Sequence, residues 1–119
     1  MNALPLIDPG QQKIIALAAE TQFAPNGIVS RTLFKTKGGR MVLFGFAAGQ
    51  ELSEHTSPHH AMVQILSGKC DFSLGGKPHA LKTGDLLYMP PHLSHGVKAT
   101  EDFSMLLTLF QAEAATAPA

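Results

Sequence analysis

Six histidines occupy the interval from His55 to His95, and the chain has none outside it. Imidazole is the commonest protein metal ligand and titrates nearer neutral pH than any other side chain, so metal binding or acid–base chemistry belongs in this interval. Two runs carry the interval's chemistry. The first reads Gly49-Gln50-Glu51-Leu52-Ser53-Glu54-His55-Thr56-Ser57-Pro58-His59-His60-Ala61, and a buried strand follows it to Gly68. The second reads Gly84-Asp85-Leu86-Leu87-Tyr88-Met89-Pro90-Pro91-His92-Leu93-Ser94-His95. His79, in a short strand, and His92, in a proline turn, read as surface positions. Cys70 shares its parity with Phe72 and Leu74 and reads as a small buried hydrophobe rather than a nucleophile.

The two runs resemble the two motifs of the cupin superfamily. The first family motif runs Gly, five residues, His-x-His, three or four residues, Glu, six residues, Gly. The second runs Gly, five residues, Pro-x-Gly-x-x-His. Here five residues separate Gly49 from His55 and five separate Gly84 from Pro90, with His95 in the terminal histidine place. The resemblance implies an all-β fold, a double-stranded β-helix of the RmlC-like jelly-roll barrel type, and a homodimer formed by sheet packing. It also implies a metal held by three histidines and a glutamate, yet only His55 and His95 occupy matching places. Ser57 stands at the second histidine, Ala61 at the glutamate, and His92 at the glycine of the second motif.

Strand parity puts Ala61, Val63 and Ile65 on the interior, and His59 shares that parity while His60 does not. A bulge at Pro58 would exchange the two. The expected metal site is therefore His55 and His95 with one of His59 or His60, holding one divalent transition metal: Zn, Fe, Ni or Cu. The expected pocket adds Ser57 and Ala61 at its wall, with Val63, Ile65, Val97 and Leu107 as its floor. Such a site could serve a metal-dependent oxygenase, isomerase or decarboxylase acting on a small organic molecule. The alternatives are a metal-free barrel that binds a small molecule without turnover, and a structural barrel in which the two histidines are remnants. Glu51 and Glu54 could orient an imidazole from behind, though solvated turn residues are the plainer reading. Met41, Met62, Met89 and Met105 read as packing residues, and Tyr88 as a half-exposed strand residue.

The elements that must position these groups are strands. Gly38-Gly39 and Gly75-Gly76 mark hairpins, and short apolar runs recur between Gly/Pro turns, the rhythm of a sandwich or barrel. The expected strands are Ile28–Thr36, Arg40–Ala48, His59–Leu66, Cys70–Leu74, His79–Leu81, Leu86–Met89, Ser94–Ala99 and Phe103–Phe110. Before them, Asp8 as a cap, Pro9 at the first helical position and the stripe Ile14, Ile15, Leu17, Ala18, Ala19 predict a short N-terminal helix. The chain thus divides into an N-terminal helical segment and lead-in (1–27), a barrel (28–110) and a frayed tail (111–119).

Composition narrows the function classes. The 119 residues suffice for one domain with a core of its own. Nine Lys and Arg balance nine Asp and Glu, and no basic patch is visible, so nucleic acid is not an expected partner. No apolar run approaches the ~18 residues of a membrane helix, so no membrane partner is expected either. The single cysteine cannot form an internal disulfide, and a cytoplasmic location is expected.

Overall fold

Alternation of apolar and polar residues builds nine strands, all paired antiparallel, in a computed structural model that describes residues 4–113. They are β1 (Ile28–Lys35), β2 (Gly39–Phe46), β3 (Glu51–His55), β4 (His60–Ser67), β5 (Lys69–Leu74), β6 (Lys77–Lys82), β7 (Leu86–Met89), β8 (His95–Ala99) and β9 (Phe103–Phe110). The larger sheet has the order β1-β2-β9-β4-β7 and the smaller one β3-β8-β5-β6. Eight of the nine strands lie where the sequence places them, within a residue or two. The exception is β3, which was not expected: its run Glu-Leu-Ser-Glu-His offers one apolar residue, because it lies at the edge of the smaller sheet.

The two sheets face each other across a core of alternate side chains. The larger sheet contributes Phe46, Ala61, Val63, Ile65, Met89, Phe103, Met105 and Leu109; the smaller contributes Cys70, Phe72, Val97 and Ala99. Phe46 stacks on Phe103 with ring centroids 4.6 Å apart, closing one end of the barrel. Cys70 is buried, and desolvation pushes its thiol up to about 12. This fits the small-hydrophobe reading and not a nucleophile.

The expected short N-terminal helix is present, but it starts later than its cap and stripe predict. The Asp8 carboxylate accepts the Gly10 N–H at 2.9 Å in a local turn, and the only helix among the described residues is one turn, α1 (Leu17–Glu20). Instead of coiling, Leu6 and Ile7 run along the edge of β1, donating their N–H groups to the carbonyls of Thr32 and Leu33 at 3.2 and 2.7 Å. Leu6, Ile7 and Leu17 then pack on Leu33, Leu43 and Leu106, on the outer face of the larger sheet. Strand-edge pairing plus apolar burial outweighs the weak propensity of a short helix whose first turn contains Gly10. Ile14, assigned to the apolar stripe, is 100% exposed. The backbone of Gln22 then crosses so close to β2 that a Cβ on Gly45 would lie 2.1 Å from its carbonyl oxygen. Positions 114–119 of the expected tail lie outside the described residues. Among the described residues, no helix is long and apolar enough to cross a membrane.

Candidate binding site at the barrel mouth

The end of the barrel opposite the Phe46–Phe103 stack carries the histidines. There β3 ends on His55 and β8 begins on His95, and the two are direct cross-strand partners. Their rings lie 4.3 Å apart, centroid to centroid, tilted by 58°. Leu52 pairs with the buried Val97, three residues before His55 but two after His95, so β3 carries one extra residue. That bulge keeps Leu52 and His55 on one face although an odd number separates them. His95 has the parity of Val97, so both imidazoles stand on the inner face at the open end. Gly96 makes room for the bulge: a Cβ there would meet the Leu52 carbonyl oxygen at 3.0 Å and the Glu54 nitrogen at 3.3 Å.

Both rings are fixed in the same way. His55 Nδ1 lies 2.7 Å from the Ser53 carbonyl oxygen, and His95 Nδ1 lies 2.9 Å from that of Leu93. A carbonyl oxygen can only accept, so each Nδ1 donates its proton and each neutral ring keeps its lone pair on Nε2. The chain therefore presents two adjacent Nε2 acceptors of defined tautomer.

Glu54 braces this pair from the outside. Its carboxylate accepts hydrogen bonds from the hydroxyls of Ser73 on β5 and of Ser94 just before His95, the latter at 2.7 Å. These donors hold its carboxyl below the ordinary value of 4.5, with His95 and His55 adding smaller contributions in the same direction. Glu54 thus ties the residue before His55 to the residue before His95. It is solvated, as the sequence favoured, but it lies on β3 rather than in a turn and is fixed by two serines. The sequence signal was an acid beside a motif histidine, but the partner serines lie 19 and 40 residues away along the chain. The loops are tied as well: His92 donates its N–H to the Ser57 carbonyl at 2.7 Å, and Ser57 Oγ accepts the His59 N–H at 3.2 Å. His92, in the glycine place of the second motif, takes a φ of 70°.

The other expected site residues do not join the pair. His60 stacks on Phe110 at 5.1 Å and lies 2.8 Å through Nδ1 from the Tyr88 hydroxyl, on the outer face of the larger sheet. Its Nε2 is buried without a hydrogen bond, with a Glu113 carboxylate oxygen at 3.5 Å. His59, in the loop before β4, lines a separate cavity with the β1–β2 hairpin. Among the described residues, no group of three or more His, Cys, Asp or Glu side chains lies together so as to hold a metal ion. The expected set of His55, His95 and a third histidine is thus not assembled. Strand alternation turns His60 outward once Ala61 is committed to the core, and the bulge falls in β3 rather than at Pro58. The expected pocket floor is likewise corrected. Val63 is 0% exposed, Ile65 2% and Ala61 3%, and with Val97 they belong to the packed core. A side chain without water-accessible surface cannot line a cavity that admits a ligand. Leu107 is half-buried against the same core, and the room left by the small Ala61 is filled by neighbours. His79 and His92 are exposed, as expected.

Residues 42–110 match the cupin domain. A conserved protein of unknown function from Streptococcus pyogenes is similar at 31% identity over 96% of this chain and 98% of its own, with a TM-score of 0.82. A cupin superfamily protein from Desulfitobacterium hafniense shares the fold at 23% identity, covering 93% of this chain and 100% of its own, with a TM-score of 0.81. Salicylate 1,2-dioxygenase from Pseudoaminobacter salicylatoxidans shares the fold at 15% identity over 71% of this chain and 26% of its own, with a TM-score of 0.67. No curated protein matches the chain.

Proposed function

The chain belongs to the cupin family, and on that premise we propose that it binds a small organic ligand at the open end of the barrel, on the Nε2 atoms of His55 and His95. The observation that carries this reading is the shared tautomer. Both Nδ1 protons are spent on backbone carbonyls, so on two rings whose centroids lie 4.3 Å apart the lone pair of each neutral imidazole falls to Nε2. A hydroxyl, enol or acid proton of a ligand is the natural complement of two such acceptors. A ring that accepts that proton is also a base within reach of the ligand, so proton abstraction is the chemistry the pair can perform. Glu54 holds the two strand ends that carry the rings and places a negative charge behind them.

The residues fit a resident metal poorly. Catalytic zinc centres use three protein ligands, and this end of the barrel gathers two imidazoles, with Ser57 and Ala61 in the remaining family ligand places. No step is therefore assigned to a metal. A homodimer is part of the same proposal: Met62, Leu86 and Tyr88 are exposed on the outer face of the larger sheet, on β4 and β7. A second copy packed there would bury them.

The test is a long-range 1H–15N spectrum of histidine-labelled protein, purified without a tag. The expected result is Nδ1–H tautomers for His55 and His95. Titration with a panel of small hydroxy acids, phenols and enolisable diketones should move both Nε2 resonances together, and the His55→Ala/His95→Ala variant should lose the interaction. Nε2–H tautomers, or stoichiometric metal bound to both rings in the purified protein, would overturn the reading.

A further inference from the structure

The hairpin between β1 and β2 stands at the same end of the barrel as the histidine pair, because β2 starts opposite the end of β9, whose last residue also pairs with the first of β4. Between this hairpin, the end of β9 and the loop before β4 lies a cavity of about 280 Å3. Its lining includes Lys35, Lys37 and Arg40 from the hairpin, His59 from the loop, and Leu109 and Phe110 from β9. That volume is near the small end of ligand pockets, which run from roughly 300 to 1,000 Å3.

The charge distribution is the informative part. The chain as a whole is neutral, with nine cationic and nine anionic side chains. Three of the nine cations converge on this one cavity, and no carboxylate lines it. Among the described residues the ion pairs are Arg31–Glu20, Lys82–Asp85 and the contact of His60 with Glu113, so Lys35, Lys37 and Arg40 have no such partner. Three unpaired cations held together in a concave site repel one another unless an anion enters between them. The support under them is firm. The Thr36 N–H donates to the Gly39 carbonyl at 2.8 Å, and the Gln111 N–H to that of Gly38 at 2.7 Å, which pins the hairpin to the end of β9. The apolar wall of Leu109 and Phe110 suits a body of carbon rather than a bare ion.

We propose that this cavity is a binding site for a small organic anion, its carboxylate or phosphate group held by Lys35, Lys37 and Arg40 and its apolar body laid against Leu109 and Phe110. Arg40 supplies a planar fork for two parallel hydrogen bonds, and the lysines supply point charges. The site is separate from the histidine pair and does not depend on the function proposed for it.

The experiment is titration of the full chain by calorimetry and by backbone amide NMR, with four probes: benzoate, phenyl phosphate, inorganic phosphate and uncharged benzamide. Benzoate and phenyl phosphate are expected to bind at low salt, to move the amides of residues 35–40 and 109–111, and to weaken severalfold in 0.5 M salt. Preference between them identifies carboxylate or phosphate as the head group, and inorganic phosphate should bind more weakly than phenyl phosphate. Arg40→Gln should weaken the better probe about tenfold, and Lys35→Gln/Lys37→Gln/Arg40→Gln should abolish its binding. All three residues are exposed, so these variants keep the wild-type fold, checked by the same spectra. The His55→Ala/His95→Ala variant should bind as the wild type does. The proposal is overturned if benzamide binds as well as benzoate and phenyl phosphate, or if the triple variant keeps their affinity. It also falls if the histidine variant alone loses them; that outcome would put the anion on the histidine pair and leave the function proposed for that pair standing.

Discussion

Replacing Gly68 by alanine tests how the turn closing the first histidine motif is built. Gly68 joins β4 to β5 with a φ of +74°, and a Cβ there would lie 2.1 Å from the Asp102 carbonyl oxygen and 2.8 Å from the Cα of Phe103. The atoms it would strike are mostly backbone, and Phe103 is 0% exposed in the core, so neither side can yield cheaply. The left-handed conformation costs an alanine about 1–2 kcal/mol, and forcing a methyl into a packed site adds about 1–3 kcal/mol. Reduced freedom of the unfolded chain returns about 0.4–1 kcal/mol. Gly68→Ala should therefore destabilise the protein by about 2–4 kcal/mol, a large share of the 5–15 kcal/mol typical of a domain. Gly49→Ala is the control: its φ is +88°, but a Cβ there meets nothing within 4 Å. It should cost about 1 kcal/mol, from conformation alone. Urea denaturation of the three proteins, fitted with a common slope, measures both losses. Equal losses in the two variants would refute the claim that the β4–β5 turn is locked by contact with the start of β9.

Three further outcomes follow from the same geometry. The Cys70 thiol should react slowly with Ellman's reagent in the native protein and fast in denaturant. Its folded value near 12 lies above the ordinary 9.0, so the unfolded chain loses the proton first, and stability should fall as pH rises past about 9, by up to about 1.4 kcal/mol per unit. A Cys70→Ala variant should lack that slope, and an unchanged alkaline slope would contradict the burial argument. Glu54 is shifted the other way: its contribution is complete above the ordinary 4.5 and fades as pH falls through its lowered folded value. Glu54→Gln should flatten the acid limb of the stability profile below that pH and broaden the His55 and His95 side-chain resonances. A variant identical to wild type in both respects would deny Glu54 its bracing role. Finally, the wild-type chain should sediment as a homodimer and Met62→Lys/Tyr88→Lys as a folded monomer; a wild-type monomer at micromolar concentration would rule out the outer face of the larger sheet as its interface.

The strand rhythm was legible in the sequence because alternation with period two and Gly/Pro turns are local signals. The motif spacing was legible too, since Gly49, Gly68 and Gly84 all take positive φ, which glycine adopts at no steric cost. His55 and His95 were paired from that spacing, and they are cross-strand partners. What the sequence could not show depended on distant partners. The extra residue in β3 that faces His55 inward is accommodated by Gly96, some forty residues later. Glu54 became a brace only when Ser73 and Ser94 folded beside it. The N-terminal segment keeps a one-turn helix at Leu17–Glu20, yet the residues between its cap and that turn do not coil, because the edge of β1 and the apolar face of the larger sheet claim Leu6 and Ile7. His59 and His60 are adjacent in sequence, but the core's claim on Ala61 sent one to a cationic cavity and the other to the outer face. Residue types and local spacing determined which side chains could do chemistry; the register of strands joined across the barrel decided which of them meet.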